Sequence, residues 1–255
     1  MSLDTSLPKP FKLLSYDEID STSEEAKRLA KKGAPEGIVV WSKKQTSGLG
    51  RRGRKWLSMD GNLFCSILIR PNCPVYKATQ LNFVTSLSVA ETITFALPEE
   101  VSVNCKWPND VLIKGKKTSG ILLESQLKST GKIDWLVIGI GLNIKNFPKK
   151  LKFPATSLVH EGAERNISVE IILENICRHF LKFYELWKCQ GFEPIREQWL
   201  RRASWLGEEI EIHLEKEILR GKFEKLDNDG ALILINEGQM RRITAGDVFC
   251  LDFFF

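Results

Sequence analysis

Gly48-Leu49-Gly50-Arg51-Arg52-Gly53-Arg54 interleaves three glycines with three arginines. A glycine-rich loop can turn its backbone N–H groups inward around an anion. Arg51, Arg52 and Arg54 add charge and forked donors that match phosphate or carboxylate. The same G-x-G-x-x-G spacing occurs in dinucleotide sites, but those need a helix opening at the last glycine. Here Lys55-Trp56-Leu57-Ser58-Met59-Asp60-Gly61 leads into a strand instead. A kinase would carry H-R-D and D-F-G sequences, and a Walker A loop a Gly-Lys pair followed by Ser or Thr; none occurs. The stretch therefore reads as an anion-binding loop that orders when a phosphate arrives, or as a plain surface turn. Lys106, in Lys106-Trp107-Pro108-Asn109-Asp110, is a second candidate for anion chemistry; taken alone it also reads as an ordinary solvent-facing lysine. The cysteines Cys65, Cys73, Cys105, Cys177, Cys189 and Cys250 form no C-x-x-C pair and read as reduced, mostly buried thiols. His160, His179 and His213 share no local motif, so no structural metal site is expected.

These residues need elements to hold them. Ser23 to Lys32 reads as a short helix, acidic early and basic late, stopped by Gly33 and with N-cap candidates in Asp20-Ser21-Thr22-Ser23. Ile38 to Trp41 is a strand leading towards the glycine-arginine loop, and Asn62 to Arg70 is a strand ended by Pro71. Tyr76 to Leu97 reads as one long, mostly buried helix. Val101 to Asn104 is a strand. Val111 to Ile113 and Thr118 to Leu127 flank Gly115 as a hairpin, and Trp135 to Ile140 is a further strand. Lys145 to Glu164 is irregular and polar, a length that points to function. Val169 to Cys189 is an amphipathic helix with Ile172, Ile176, Phe180, Phe183 and Trp187 on one face, and Glu193 to Leu200 is helical too. After Trp205 the texture changes to short strands at Glu209–Leu214, Leu219–Lys225, Ala231–Ile235 and Arg241–Phe255, with a turn at Asp227-Asn228-Asp229-Gly230.

The chain has 255 residues, 43% of them hydrophobic, enough for a sizeable core in one large domain plus a small one. A boundary near Ser204 divides residues 1–204 from a small β-barrel at 205–255. Net charge is +5, which suits a protein handling nucleotides or an acidic partner. The basic residues are scattered outside the arginine cluster, and no helix-turn-helix, zinc finger or RNA-binding signature is present. No apolar run approaches the roughly 18 residues of a membrane span, and the N-terminus lacks a signal core. The expectation is a cytoplasmic protein.

Five stretches, in order, resemble the motifs of biotin protein ligases. Gln45 to Trp56, followed by Ser58 and Gly61-Asn62-Leu63, resembles that family's glycine-arginine loop. Lys106 to Asp110 resembles its K-W-P-N-D signature, and Lys117-Thr118-Ser119-Gly120-Ile121-Leu122-Leu123-Glu124 its K-x-x-G-I-L-x-E segment. Gly139-Ile140-Gly141-Leu142-Asn143 is similar to its G-x-G-x-N strand end. Asp20-Ser21-Thr22-Ser23 resembles its D-S-T-N. The tail from Trp205 resembles its small SH3-like C-terminal domain.

The resemblance implies an α+β fold: a mixed β-sheet catalytic domain with helices packed on it, plus the SH3-like barrel. It implies ATP-dependent activation of biotin to biotinyl-5′-AMP with Mg²⁺. Biotin then passes to one lysine of the biotin carboxyl carrier protein of acetyl-CoA carboxylase. Carried over onto this chain, Lys106 sits between biotin carboxylate and α-phosphate, and Arg51 closes over the adenylate with Gly50 giving close backbone approach. Ser21, Thr22, Ser23, Gln45, Gly48, Leu49, Gly120, Gly139 and Gly141 belong to the biotin site. Arg54, Trp56, Lys117 and Asn143 belong to the nucleotide side, with Lys117 equally readable as a solvated hairpin lysine. The loop from Lys145 to His160 would order over adenine, with Phe147 or Phe153 as the cover, and is equally readable as an ordinary long connection.

Three departures stand out: Ser23 for the usual Asn, Leu49 for the usual Arg, and Thr118 for Leu or Ile. The roughly 19 residues before Asp20 cannot hold the winged helix-turn-helix of repressor members, so no DNA-binding role is expected. A monomer or a homodimer is compatible with the family. The alternatives are a lipoate or octanoyl ligase of the same fold, or a non-catalytic biotin-binding regulator.

Overall fold

The computed structural model of the chain describes residues 7–149 and 153–250. It runs β1 (Lys12–Ile19), α1 (Thr22–Lys31), β2 (Ile38–Gln45), β3 (Leu63–Ile69), α2 (Val75–Thr79), α3 (Leu81–Ala96), β4 (Val103–Lys106), β5 (Asp110–Ile113), β6 (Lys116–Leu127), β7 (Ile133–Leu142), α4 (Val169–Gln190) and α5 (Glu193–Arg201). A second group of strands follows: β8 (Glu209–His213), β9 (Ile218–Leu226), β10 (Leu232–Asn236), β11 (Gln239–Ile243) and β12 (Asp247–Cys250). The first seven strands form one mixed sheet in the order β1-β2-β3-β7-β6-β5-β4. Only β1 and β2 pair in parallel. The last five form an antiparallel sheet in the order β11-β10-β9-β8-β12. Among the described residues no helix is long and apolar enough to cross a membrane.

Alternation along the strands divides the large sheet into two faces. Val39, Cys65, Ile67, Ile138 and Ile140 enter the main core beneath α3, α4 and α5. Val40, Leu68, Trp135 and Val137 point the other way and bury the small stripe of Ala26 and Ala30 on α1. That second face continues along β7 past Val137 to Gly139 and Gly141, which have no side chains of their own and are covered by Ser23 and Trp56. The polar hydroxyls of α3 are absorbed by the helix itself: Thr85, Ser88 and Thr92 each donate to the carbonyl four residues back.

Three local expectations are corrected. The stretch Tyr76 to Leu97 is two helices, not one, broken at Gln80. The Gln80 amide is committed to distant elements: its Oε1 accepts from Trp187 Nε1 at 2.8 Å and its Nε2 donates to the Asn228 carbonyl. Strand β1 was not anticipated, because KLLSYDEI is half exposed and carries charge rather than a clean apolar alternation. Those charges pair across to β2, Asp17 with Lys43 and Glu18 with Lys44, and guard the sheet edge. The final piece is two strands: β11 pairs with β10, and after Gly246 β12 pairs with β8 at the opposite edge. Residues 251–255 of that expected strand lie outside the described residues.

The two sheets are stitched together around the segment that carries Lys106. Cys105 N donates to the Arg202 carbonyl at 2.7 Å, and Ser204 N to the Cys105 carbonyl at 2.8 Å. Trp107 Nε1 donates to the Gly230 carbonyl at 3.0 Å, in the turn between β9 and β10. Five of the six cysteines are buried and Cys189 is exposed. Burial pushes the Cys105 thiol up to about 12 against the opposing pull of Ser86 and Arg202, so it is chemically quiet.

Candidate active site

A cavity of about 340 Å³ opens on the sheet face that carries Gly139 and Gly141, with Ser23 and Trp56 packed against them. Its wall holds Ser21, Thr22, Ser23 and Gln45 at one end, and Lys106, Lys117, Arg51 and Arg54 at the other. Leu49, Gly50, Trp56, Gly120 and Asn143 lie between or above. Gly48 does not line it; a Cβ there would stand 2.5 Å from the Trp56 carbonyl, so this glycine shapes the loop.

The first end is a hydroxyl cluster. Thr22 opens α1 and donates twice to Gln45 Oε1, from its backbone N at 2.8 Å and its Oγ1 at 3.1 Å. Thr22 Oγ1 and Ser23 Oγ lie 2.9 and 3.0 Å from Ser66 Oγ. Gln45 N in turn accepts support from Ser58, donating to its Oγ at 2.8 Å. Ser66 was not singled out from the sequence. Its signal is a lone hydroxyl in the apolar run FCSIL, in register with Gly139 on the neighbouring strand. Just outside, Arg28 makes a forked pair with Asp20, which holds that carboxyl down at about 2.

The second end is cationic. Lys106 is only 6% exposed. Burial pushes its ammonium down to about 8; Asp110 and Asp247 oppose that shift, and Lys117 and Arg54 add to it. Asp110 reaches Lys106 at 3.8 Å and Lys117 at 2.6 Å. Burial raises the Asp110 carboxyl, but Lys117 and Lys106 outweigh it and hold the group below its usual range. Asn109 holds the arginine loop: Arg51 Nη1 donates to Asn109 Oδ1 at 2.7 Å, and Asn109 Nδ2 donates to the Ile121 carbonyl. Asp110 and Asn109 were quoted in the sequence motif without a role; the structure puts both in the wall.

The glycine-arginine loop is a closed tip rather than the start of a helix. Gly50 N donates to the Arg54 carbonyl and Trp56 N to the Gly48 carbonyl. Between them lies a single 3-10 turn, Arg51–Gly53, with Arg52 at φ 55° and Gly53 at φ 70°. A non-glycine residue in that region is a strained conformation that something must hold. The holder is the C-terminal sheet: Asp247 pairs with Arg54 and Arg52, and Arg51 Nη2 donates to the Gly246 carbonyl.

Asn143 is less free than expected, since its Nδ2 donates to the Thr156 carbonyl at 3.0 Å. Thr156 N donates to Lys117 O, and Lys117 N to Pro154 O, so this loop runs as a short extra strand beside β6. Phe153 faces the cavity, whereas Phe147 packs on His160 at 5.1 Å. Residues 150–152 of the expected cover lie outside the described residues.

The start of this loop is pinned by buried Asn62. Its Oδ1 accepts from the backbone N of Ile144, Lys145 and Asn146, and its Nδ2 donates to Asn146 O. Asn62→Ala strips those bonds and is expected to cost about 2–3 kcal/mol in urea unfolding, with a raised KM for nucleotide. Asn62→Asp, which keeps the acceptor, should lose less. Equal losses in the two variants would refute the pinning role.

Residues 16–143 match the family described as Biotin/lipoate A/B protein ligase, and residues 205–251 match the Biotin protein ligase C terminal domain. A biotin–[acetyl-CoA-carboxylase] ligase of Paracoccus denitrificans is 35% identical over 240 residues, covering 90% of this chain and 97% of its own. The bifunctional ligase/repressor BirA of Bacillus subtilis is 34% identical over 241 residues, covering 92% of this chain and 73% of its own. The structure of a biotin protein ligase from Aquifex aeolicus in complex with biotin and ATP superposes with a TM-score of 0.79 at 30% identity, covering 93% of this chain and 97% of that one. The chain belongs to the biotin/lipoate A/B protein ligase family and carries the biotin protein ligase C-terminal domain.

Proposed function

We propose that this biotin protein ligase seats biotin and ATP head to head in the single cavity across its large sheet, and then hands biotin to a lysine of a biotin carboxyl carrier protein. The observation that carries the reading is the cavity's polarity. The hydroxyl cluster lies at β2 and β3, and the cations lie towards β5 and β4, with the glycines of β7 and β6 and the Trp56 indole between them. The ureido ring of biotin suits Ser21, Thr22, Ser23 and Gln45, which offer paired donors and acceptors, with buried Ser66 bracing Thr22 and Ser23 from behind. The valeryl chain would run towards Lys106 alongside the Trp56 indole, which covers Gly141 and Gly120.

At that end a carboxylate oxygen attacks the α-phosphorus, an acyl–phosphate bond forms, and pyrophosphate leaves. Two anions must meet, so the wall supplies positive charge fixed in advance. Lys106 bridges carboxylate and α-phosphate, Arg51 and Arg54 face the phosphates, and Lys117 held by Asp110 stands beside them. Trp56 and Asn143 border the base. Among the described residues no three of His, Cys, Asp and Glu gather to cage a metal. Mg²⁺ would enter as part of the substrate, carried on the triphosphate. In the second step the carrier amine attacks the acyl carbon, AMP leaves, and the amide nitrogen loses its proton. The carrier of acetyl-CoA carboxylase and a cytoplasmic setting fit this reading.

Intact mass measurement of a recombinant carrier domain tests it. With biotin and Mg-ATP the carrier should gain the mass of one biotinyl group; with lipoate in place of biotin it should gain nothing. An unmodified carrier that another ligase can still modify would sink the transfer, and a lipoyl adduct would move the chain to the lipoate branch.

A further inference from the structure

The Lys106 ammonium is gripped from two sides. The large sheet contributes Asp110 from β5, which it shares with Lys117 of β6, a like charge that pushes on the ammonium. The opposite side is made of rings. The Phe153 centroid lies 4.1 Å from Nζ, that of Phe249 5.2 Å and that of Trp205 5.9 Å. All three fall within cation–π range. The rings also brace one another, Phe153 with Phe249 at 6.3 Å and Phe153 with Trp205 at 6.4 Å.

Phe249 belongs to β12, in the sheet that follows the catalytic fold. The His213 ring also lies 4.6 Å from it, which places it between β8 and the lysine. The strand is fixed at its start. Asp247 pairs with Arg54, and a Cβ on Gly246 would stand 2.7 Å from Ile212 Cγ2. A cation held by rings sheds water without acquiring a strong anionic partner. It is weakly held, and an incoming carboxylate or phosphate can take it without first stripping a hydration shell.

We propose that Phe249 is a positioning residue for biotin activation: from the C-terminal sheet it completes the aromatic wall that keeps Lys106 dry and poised for the reacting anions. This rests on the reading of Lys106 given above. The charged groups facing Lys106 are Asp110, Lys117, Asp247 and Arg54, and none is altered by changing Phe249. Opening the wall removes one ring that favours the charged form, but it also removes part of the burial, the largest cause of the depression, so the ammonium's titration should move up towards the ordinary value of about 10.

The test uses the full chain without substrates. Trace acetylation of Lys106 as pH is raised, read by peptide mass spectrometry, follows the neutral amine directly. The parent should titrate near 8. Phe249→Thr should titrate higher and form biotinyl-adenylate about tenfold more slowly, within the reach of one cation–π contact. The KM for biotin should stay near the parent's. Phe249→Tyr keeps the ring and should match the parent in both respects. If the Thr variant does not fold, Phe249→Leu keeps the strand apolar and should shift both quantities the same way by less. Unchanged titration and rate in Phe249→Thr, or equal impairment in Phe249→Tyr, would overturn the proposal. A parent that makes no adenylate would instead refute the assigned reaction, while the titration still decides the wall.

Discussion

Lys106→Met is expected to lower biotinyl-adenylate formation by about 10²–10³-fold while leaving the chain at least as stable at neutral pH. The loss follows from the work asked of one charge. Carboxylate and α-phosphate repel as they approach, and a fixed ammonium between them gives what water supplies poorly. The gain in stability follows from the same burial. At 6% exposure the lysine is held in a pocket that disfavours its charged form. Methionine fills the same length against Phe153, Trp205 and Phe249, and Asp110 keeps Lys117 at 2.6 Å, so no carboxylate is orphaned. The sign with pH can be stated. The folded ammonium titrates near 8, below the ordinary value of about 10, so folding works against its proton. That penalty is fully present below about 8 and fades as pH rises towards about 10. The parent should therefore gain relative stability over that window, and the Met variant should not. Pyrophosphate release and urea midpoints at neutral and alkaline pH read both effects. A Met variant that keeps the parent's adenylation rate would remove Lys106 from the chemistry. One that is less stable at neutral pH would show the lysine to be a structural anchor.

The sequence exposed the parts of this site that are built from contiguous residues. The glycine-arginine loop carried an anion-binding pattern in its own residues, whereas Lys106 to Asp110 and the glycine pair of β7 stood out by resemblance to contiguous family motifs; all three line the cavity. The amphipathic face of α4 was legible for the same reason, because its period lies within one element. What stayed hidden was long-range. Arg54 meets Asp247 across 193 positions, and Arg51 meets Gly246 across 195. No local pattern marks an aspartate at the head of a late strand as the clasp of an early loop. Phe249 and Trp205 looked like ordinary apolar residues of a small barrel. Ser66 was hidden differently, as one hydroxyl in a buried strand whose meaning appears only when β3 is set beside β7. Strand β1 was lost because an edge strand is guarded by charge, the feature that sequence patterns count against a strand.

Gly141→Ala should cripple the enzyme through Trp56, and the effect should vanish once that tryptophan is removed. The indole lies flat across two neighbouring strands, over Gly120 and Gly141, which are in register. A Cβ on Gly141 would stand 2.4 Å from Trp56 Cε2 and 2.7 Å from Cζ2 and Nε1. One on Gly120 would stand 2.9 Å from Cζ3. These approaches are closer than packed atoms tolerate, and strand β7 is central in its sheet and cannot retreat. The indole must therefore shift. Its Nε1–H is buried and finds no partner among the described residues, so no hydrogen bond resists the move. The ring would be driven into the cavity where substrate must lie. Overpacking of this kind costs about 1–3 kcal/mol, and the displaced ring should lower kcat/KM for adenylation by about tenfold or more. In a Trp56→Ala background the added methyl enters empty space. The double variant should then be no worse than Trp56→Ala alone in either melting temperature or kcat/KM, a coupling of about 1–3 kcal/mol. Additive losses would mean that Gly141 is required for strand geometry or for direct contact with substrate, and that Trp56 is not what the bare floor accommodates.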